Sequence, residues 1–75
     1  MAKRRILIII EKGETSYGAY APDVPRCAVV GDTREEVEKL IREALELHFE
    51  LMQSAHQSVP ESLNVAEYME IQISA

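Results

Sequence analysis

The segment CAVVGDTREEVEKLIREALELHFELM, residues 27–52, decides the fold because a short apolar strand passes directly into a long helix there. Thr33 and Glu36 have the S/T-x-x-E spacing of a capping box, in which each side chain bonds a backbone N–H at the helix start. Asp32 beside them suits the positive end of the helix dipole. The sequence therefore predicts that a helix begins at Thr33.

The predicted helix, from Thr33 to about Met52, has one apolar side. Its apolar residues recur at three- and four-residue spacing, which is typical of an amphipathic helix. They are Val37, Leu40, Ile41, Ala44, Leu45, His48, Leu51 and Met52. The opposite side is charged, with pairs such as Glu35 and Lys39 in the favourable order. One side of the helix is thus predicted to pack on a sheet while the other faces water.

Three short strands are predicted before this helix. Ile6–Glu11 is rich in β-branched residues, and a continuous apolar run of that length indicates a buried strand. The loop around Gly13 suits a hairpin that leads to a second strand, Tyr17–Ala21. The third strand is Cys27–Gly31.

The connection APDVPR, residues 21–26, is predicted to be a rigid corner. Pro22 and Pro25 each fix their own φ and push the preceding residue towards extended geometry, which excludes a helix. Cys27 follows this corner and could be a nucleophile if a base or a positive field lowered its pKa. No His-Asp or His-Asn pairing is evident, so we interpret Cys27 as a small buried strand residue.

The C-terminal part is predicted to be a loop and then a strand. Gln53–Asn64 is polar and contains a proline, as loops do. Val65–Ile73 resumes the alternation of a strand, with Met69, Ile71 and Ile73 on one face and polar residues between them. The last strand is therefore expected to have one wet face.

The predicted order β-β-β-α-β defines an α+β two-layer sandwich, with one helix on a mostly antiparallel sheet, in a single domain of residues 1–75. The helix covers one face, so the other face or an edge strand is left for another chain. A domain of this size hides only about 60% of its surface, and one cysteine cannot form an internal disulfide. We therefore expect a homo-oligomer, a dimer or larger.

Charge and composition narrow the classes of function. The formal net charge is −5, which opposes nucleic-acid binding and favours a basic partner. The longest apolar run, Ile6–Ile10, is far shorter than the roughly 20 residues that a membrane span needs. A single thiol is typical of a reducing cytoplasm, where we expect this protein to be located.

No catalytic residue, metal site or cofactor is predicted. His48 lies in the apolar stripe, and we interpret it as a core or subunit-contact histidine rather than a metal ligand or a pH switch. The helix glutamates lie on the wet side between basic residues, unlike a catalytic carboxylate pair. Gly31-Asp32 lacks the glycine run and the lysine of a phosphate loop. The sequence gives no indication of an enzyme.

The residues EKGE at 11–14 and YGAYAPDVPRCAVVGDTREEVEKLIREALELHFE at 17–50 resemble the HicB family of antitoxins. The resemblance covers about the first two-thirds of the chain. It implies a partial ribonuclease-H-like or dsRNA-binding-like fold without nuclease activity. It also implies binding of a small basic toxin that cleaves mRNA, with the toxin's catalytic histidine blocked. Arg26 stands where the family usually has glycine, and the DNA-binding module of longer members is not recognised here.

The leading hypothesis is a HicB-like, non-enzymatic interaction domain that oligomerises and neutralises such a toxin. Its expected partner-binding residues lie around the corner: Tyr17, Tyr20, Asp23, Pro25, Arg26 and Cys27. The alternative is a stand-alone homo-oligomeric structural or regulatory protein of the same fold without a toxin partner. An RNA-binding domain, suggested by fold analogy, is disfavoured by the net charge.

Overall fold

The structure is a computed structural model that describes residues 3–74. These residues form three strands and one helix: β1 (Ile9–Lys12), β2 (Tyr17–Tyr20), β3 (Ala28–Gly31) and α1 (Arg34–Ser54). The predicted α+β class is confirmed, as are the first four elements in their predicted order.

The three strands form one antiparallel sheet in the order β1-β2-β3. Ala19 in the centre pairs with Ile10 of β1 and with Val29 of β3. These three side chains share one face because neighbouring residues of a strand point to opposite faces. Ala19 is 2% exposed beneath α1, so this face is the inner one and Tyr20 lies on the outer one.

Strand β1 is shorter than predicted, starting at Ile9 instead of Ile6. In the observed register, Leu7 would lie opposite Pro22, which has no N–H to donate. The N–H of Leu7 instead donates to the Ser62 hydroxyl at 2.8 Å, and the N–H of Ser62 donates to the carbonyl of Arg5 at 3.1 Å. Ser62, which follows the helix in the chain, thus bonds the backbone at the point where pairing with β2 ends.

The start of α1 confirms the Thr33 half of the predicted capping box, whereas the Glu36 carboxylate does not bond the backbone N–H of Thr33. The Thr33 hydroxyl accepts from the N–H of Glu36 at 3.1 Å. The Glu36 side chain lies over Gly31, where an added Cβ would come within 3.0 Å of the Glu36 carboxyl carbon. A glycine at the end of β3 therefore leaves room for the first turn of the helix.

The helix ends two residues later than predicted, in a Schellman motif. The N–H of Gln57 donates to the carbonyl of Met52 at 2.8 Å, and that of His56 donates to Gln53 at 3.0 Å. His56 has φ 59°, the left-handed conformation that this motif requires and that glycine usually supplies. The predicted loop consequently begins after this motif.

The core lies between α1 and the inner sheet face. Its buried residues are Ala19, Ala21, Val24, Cys27, Val37, Ile41 and Leu45. The helix stripe is confirmed at its centre, but Leu51 is 61% exposed while Phe49 packs against the core. A 21-residue helix is about 31 Å long and a four-residue strand about 13 Å. The last turns of α1 therefore extend past the sheet.

The predicted last strand, Val65–Ile73, does not form in this structure. Residues 57–74 contain no helix or strand, and the apolar side chains of the segment are largely exposed. The radius of gyration is 15.1 Å, whereas a compact chain of this length has about 11 Å. A strand needs a neighbouring backbone for its hydrogen bonds, and residues 65–73 are not paired with one here.

Candidate interaction site

The corner between β2 and β3 is closed by its own backbone. The N–H of Ala21 donates to the carbonyl of Cys27 at 3.1 Å, which continues the β2–β3 ladder across the corner. The N–H of Val24 donates back to Ala21 at 3.1 Å, and the Val24 side chain is 2% exposed in the core. The corner is thus anchored to the core from inside.

Arg26 has φ 63°, so its backbone is left-handed. Glycine adopts this conformation without strain, whereas a residue with a Cβ pays a steric penalty. The resemblance places a glycine at this position, and the structure shows why glycine suits it. The Arg26 side chain is exposed.

The six predicted contact residues separate into two groups. Tyr20, Pro25 and Arg26 are exposed, and a partner can reach them directly. Tyr17 is three residues from Tyr20 in the same strand, so it lies on the inner face, where it packs against the core. Cys27 is buried and Asp23 is half-buried. The structure therefore brings three of the six to the surface and places the others behind them.

Cys27 behaves as a buried structural residue, as predicted. It is a free cysteine, 8% exposed, in the core cluster. Burial raises the pKa of its thiol, because the charged thiolate is poorly solvated there. The thiolate is the nucleophilic form, so this environment opposes the reactivity that a catalytic cysteine needs.

Asp23 joins the corner to the C-terminal part of the chain. Its Oδ1 accepts from the side-chain amide of Asn64 at 2.9 Å. Its Oδ2 is buried and has no hydrogen-bond partner among residues 3–74. Sequence reasoning missed Asn64, since a polar residue 41 positions away in a loop carries no local sign of this contact.

The outer sheet face is the second part of the site. Val30 is 75% exposed and Tyr20 is 37% exposed, and Ile9 lies opposite Tyr20 on the same face. The carboxylate of Glu11 belongs to this face as well, two residues beyond Ile9. The arrangement offers a small apolar surface with an acidic group beside it. Alternation along the strands could have indicated Ile9 and Val30 as members.

Charge is distributed unevenly along the chain. All eight Lys and Arg residues precede position 43, and three of them are Lys3, Arg4 and Arg5. Residues 43–75 carry six glutamates and no Lys or Arg. The second half of α1 and the residues that follow it are therefore acidic, while the residues that precede β1 are basic.

Residues 3–74 have neither a metal-binding cluster nor a membrane-spanning helix. They contain no group of three or more His, Cys, Asp and Glu side chains that could hold a metal ion. None of the helical sequence in this range is sufficiently long and apolar to cross a membrane.

The fold and the site define a small α+β domain with a buried thiol, a fixed corner and an open apolar sheet face. Residues 6–72 match the family described as HicB_like antitoxin of bacterial toxin-antitoxin system, and the chain belongs to this family. The match extends through residue 72, further than the motifs recognised in the first two-thirds of the sequence. The C-terminal segment is thus part of the family domain.

The chain is also similar to a protein of Haemophilus phage HP1 described as an uncharacterized 14.9 kDa protein in the rep-hol intergenic region. The two are 36% identical over 62 residues, which cover 83% of this chain and 47% of the phage protein. The chain therefore spans about half the length of this relative. No solved structure matches the chain.

Proposed function

We propose that this chain is a non-enzymatic antitoxin domain that oligomerises in the cytoplasm and neutralises a small basic toxin that cleaves mRNA. The observation that carries this proposal is the family match over residues 6–72. The exposed corner and the outer sheet face are the proposed surface for the toxin. Self-association and toxin binding are separate parts of the proposal, and each has its own test.

Electrostatics support a basic partner. The formal net charge of −5 attracts a positively charged protein and accelerates its encounter with the domain. Glu11 lies on the outer face beside Ile9 and near Tyr20, so a lysine or arginine of the partner would find a carboxylate at the edge of an apolar contact. Such an apolar centre with a charged rim is the usual anatomy of a protein interface.

The corner residues would have different roles in this complex. Tyr20, Pro25 and Arg26 are exposed and would contact the toxin. Tyr17 and Cys27 pack beneath them and would hold the corner in place. Asp23, tied to Asn64, would fix the corner relative to the C-terminal part. Tyrosine is enriched among the residues that dominate interface energies, so Tyr20 is the expected anchor.

Co-expression tests the toxin partner. The chain would be produced together with any short basic protein encoded beside it, and growth and co-purification would be measured. We expect wild-type chain to relieve toxicity and to retain the partner. Tyr20→Ala should weaken the complex at least about tenfold. Glu35→Gln, on the wet side of α1, is the control and should bind like wild type. Toxicity that persists beside soluble wild-type chain would refute the proposal.

The alternative, a homo-oligomer without a toxin, draws on a different observation. The apolar residues within positions 65–73 are exposed, and self-association would bury them without any toxin. The two hypotheses separate in the same experiment. A chain that forms stable oligomers and captures no basic neighbour would favour the alternative.

A further inference from the structure

The C-terminal segment, defined as Val65–Ile73, has an apolar face with no covering. In a strand its odd-numbered residues would share one face. On that face Val65 is 88% exposed, Met69 73%, Ile71 73% and Ile73 86%. Glu67 interrupts this face, but its other four residues are apolar, which a solvated tail does not require, and the family match includes the face up to residue 72. The segment therefore has the composition of a strand with one face packed against another part of a protein.

The outer edge of β1 is free to accept such a strand. The N–H of Gly13 donates to Ser16 in the register of the hairpin, so backbone groups of odd-numbered β1 residues face β2. Backbone groups of even-numbered residues then face away from β2, because the direction alternates along a strand. Ile8, Ile10 and Lys12 thus present their N–H and C=O groups on the sheet edge opposite β2.

An apolar groove runs beside this edge. It has a volume of about 810 Å³ and lies between the residues around β1 and the last turns of α1. Its apolar walls are Ile6, Ile8, Ile10, Ile41, Leu45 and Phe49. It exists because α1 packs mainly over β2 and β3 and leaves the β1 side of the inner face partly open. A strand added at the β1 edge would direct alternate side chains into this groove.

The segment is long enough to pair along the whole edge. The edge from Ile6 to Lys12 has seven residues, or about 23 Å, and the nine-residue segment reaches about 30 Å. The segment carries Glu67 and Glu70 and no basic residue, and the groove is lined by as many acidic as basic side chains: Lys3, Arg4, Arg42, Glu38, Glu46 and Glu50. The fit between segment and edge therefore depends on backbone pairing and apolar burial, and charge does not favour it.

The segment of the same chain is held on the wrong side of β1. Ser62 is bonded to Arg5 and Leu7 through their odd-numbered backbone groups, which face the β2 side. Asn64 is bonded to Asp23 at the end of β2. The segment thus departs from the side of β1 opposite the free edge. A second copy can supply its segment to that edge without breaking these contacts.

We propose that two copies of this chain exchange their C-terminal segments, each segment adding as a strand to the outer edge of β1 in the other copy. The interface is isologous, as in most symmetric dimers. Addition of an extended segment to a free sheet edge is an established mode of recognition. The proposal deepens the self-association part of the proposed function and leaves the corner and the outer sheet face free for a toxin.

Matched charge substitutions in the full chain test this exchange. Ile71→Glu and Gln72→Glu add the same charge at adjacent positions, but only residue 71 would enter the groove. The monomer–dimer dissociation constant would be measured by sedimentation equilibrium over a dilution series, without any toxin. We expect Ile71→Glu to weaken the dimer on the order of a hundredfold, because a carboxylate would be buried in an apolar site. Gln72→Glu should change it less than about threefold.

Hydrogen exchange on wild-type chain provides an independent measurement. The outward-facing amides of Ile8 and Ile10 should be protected in concentrated solution and lose protection on dilution. The proposal is overturned if these amides exchange freely in the dimer, or if both variants dimerise like wild type. A monomeric wild-type chain at all concentrations also overturns it, since the edge would then be free or filled by its own segment.

Toxin capture by the same variants separates this proposal from the proposed function. If Tyr20→Ala no longer captures the toxin but still dimerises, Tyr20 acts in toxin binding and not in the strand exchange. A dimer that is lost in Ile71→Glu while capture persists shows that the two surfaces are independent. Absence of capture by wild-type dimer counts against the antitoxin role and leaves the strand exchange supported.

Discussion

Residues 9–54 and residues 65–73 both carry the apolar pattern of regular structure, yet only the first region forms it. The helix satisfies its backbone groups within itself, and the hairpin brings β1 and β2 together locally. The C-terminal segment has the alternation of a strand but no adjacent edge. An alternating pattern thus specifies which face of a strand is to be buried. It does not specify which backbone will pair with that strand.

Paired truncations should show the largest difference between the two regions. Ile41 is 3% exposed in the core, whereas Ile73 is 86% exposed. Ile41→Ala should lower the free energy of unfolding by about 2–5 kcal/mol, through lost burial and a cavity. Ile73→Ala should lower it by less than about 0.5 kcal/mol in the monomer. Urea unfolding at the lowest workable protein concentration measures both, and similar losses would contradict the comparison.

Loss of the helix cap should have the next largest effect. Thr33→Ala removes the oxygen that accepts from the N–H of Glu36 and should cost about 1 kcal/mol of stability. Thr33→Ser keeps the hydroxyl and is the control, with most of the stability retained. Thermal unfolding followed by circular dichroism distinguishes them. A Ser variant as unstable as the Ala variant would argue against the hydrogen bond as the cause.

Relief of backbone strain should give a stabilising effect of somewhat smaller size. Arg26 has φ 63°, so Arg26→Gly should raise the free energy of unfolding by about 0.5–1 kcal/mol. Arg26→Ala removes the side chain and keeps the Cβ, so it should leave stability near the wild-type value. His56 after α1 also has a positive φ, so His56→Gly should be stabilising and His56→Ala should be close to wild type. Chemical denaturation checks each variant, and a destabilising glycine would contradict the strain argument.

The pH dependence associated with Cys27 should be the smallest effect. Burial raises the pKa of this thiol above its ordinary value of 9.0, so the folded state holds the proton more tightly than the unfolded state. The resulting stability is fully present below the ordinary pKa and is lost as pH rises through the raised pKa. Wild type should therefore lose more stability at alkaline pH than Cys27→Ala does. Parallel stability curves for the two proteins would show that the thiol does not contribute.

Local chemistry explains why most of residues 9–54 could be predicted from the sequence. The Thr33 cap, the apolar stripe centred on Ile41 and the proline corner each depend on residues close together in the chain. The start of β1 could not be predicted in this way, because it depends on which residue lies opposite Leu7. The predicted stripe included Leu51 and omitted Phe49, whereas the structure exposes Leu51 and packs Phe49 against the core. Spacing alone could not show this, because the sheet is too short to lie under the last turns of α1.

The candidate site was predicted less completely, again because of long-range geometry. The corner was identified from its prolines, but the inward direction of Tyr17 depends on the side of the sheet that α1 covers. The link between Asp23 and Asn64 depends on the course of the chain after the helix. Whether the exposed corner residues bind a partner stays a prediction.

The bonds of Ser62 to the backbone of Arg5 and Leu7 join residues at least 55 positions apart and fix the chain after α1 beside the residues that precede β1. A bulky group attached beside Arg5 or Ser62 would consequently obstruct this junction. The hairpin turn at residues 13–16 lies at the far end of β1 from it. An affinity peptide or dye inserted in that turn would leave both chain ends unobstructed for measurements of assembly.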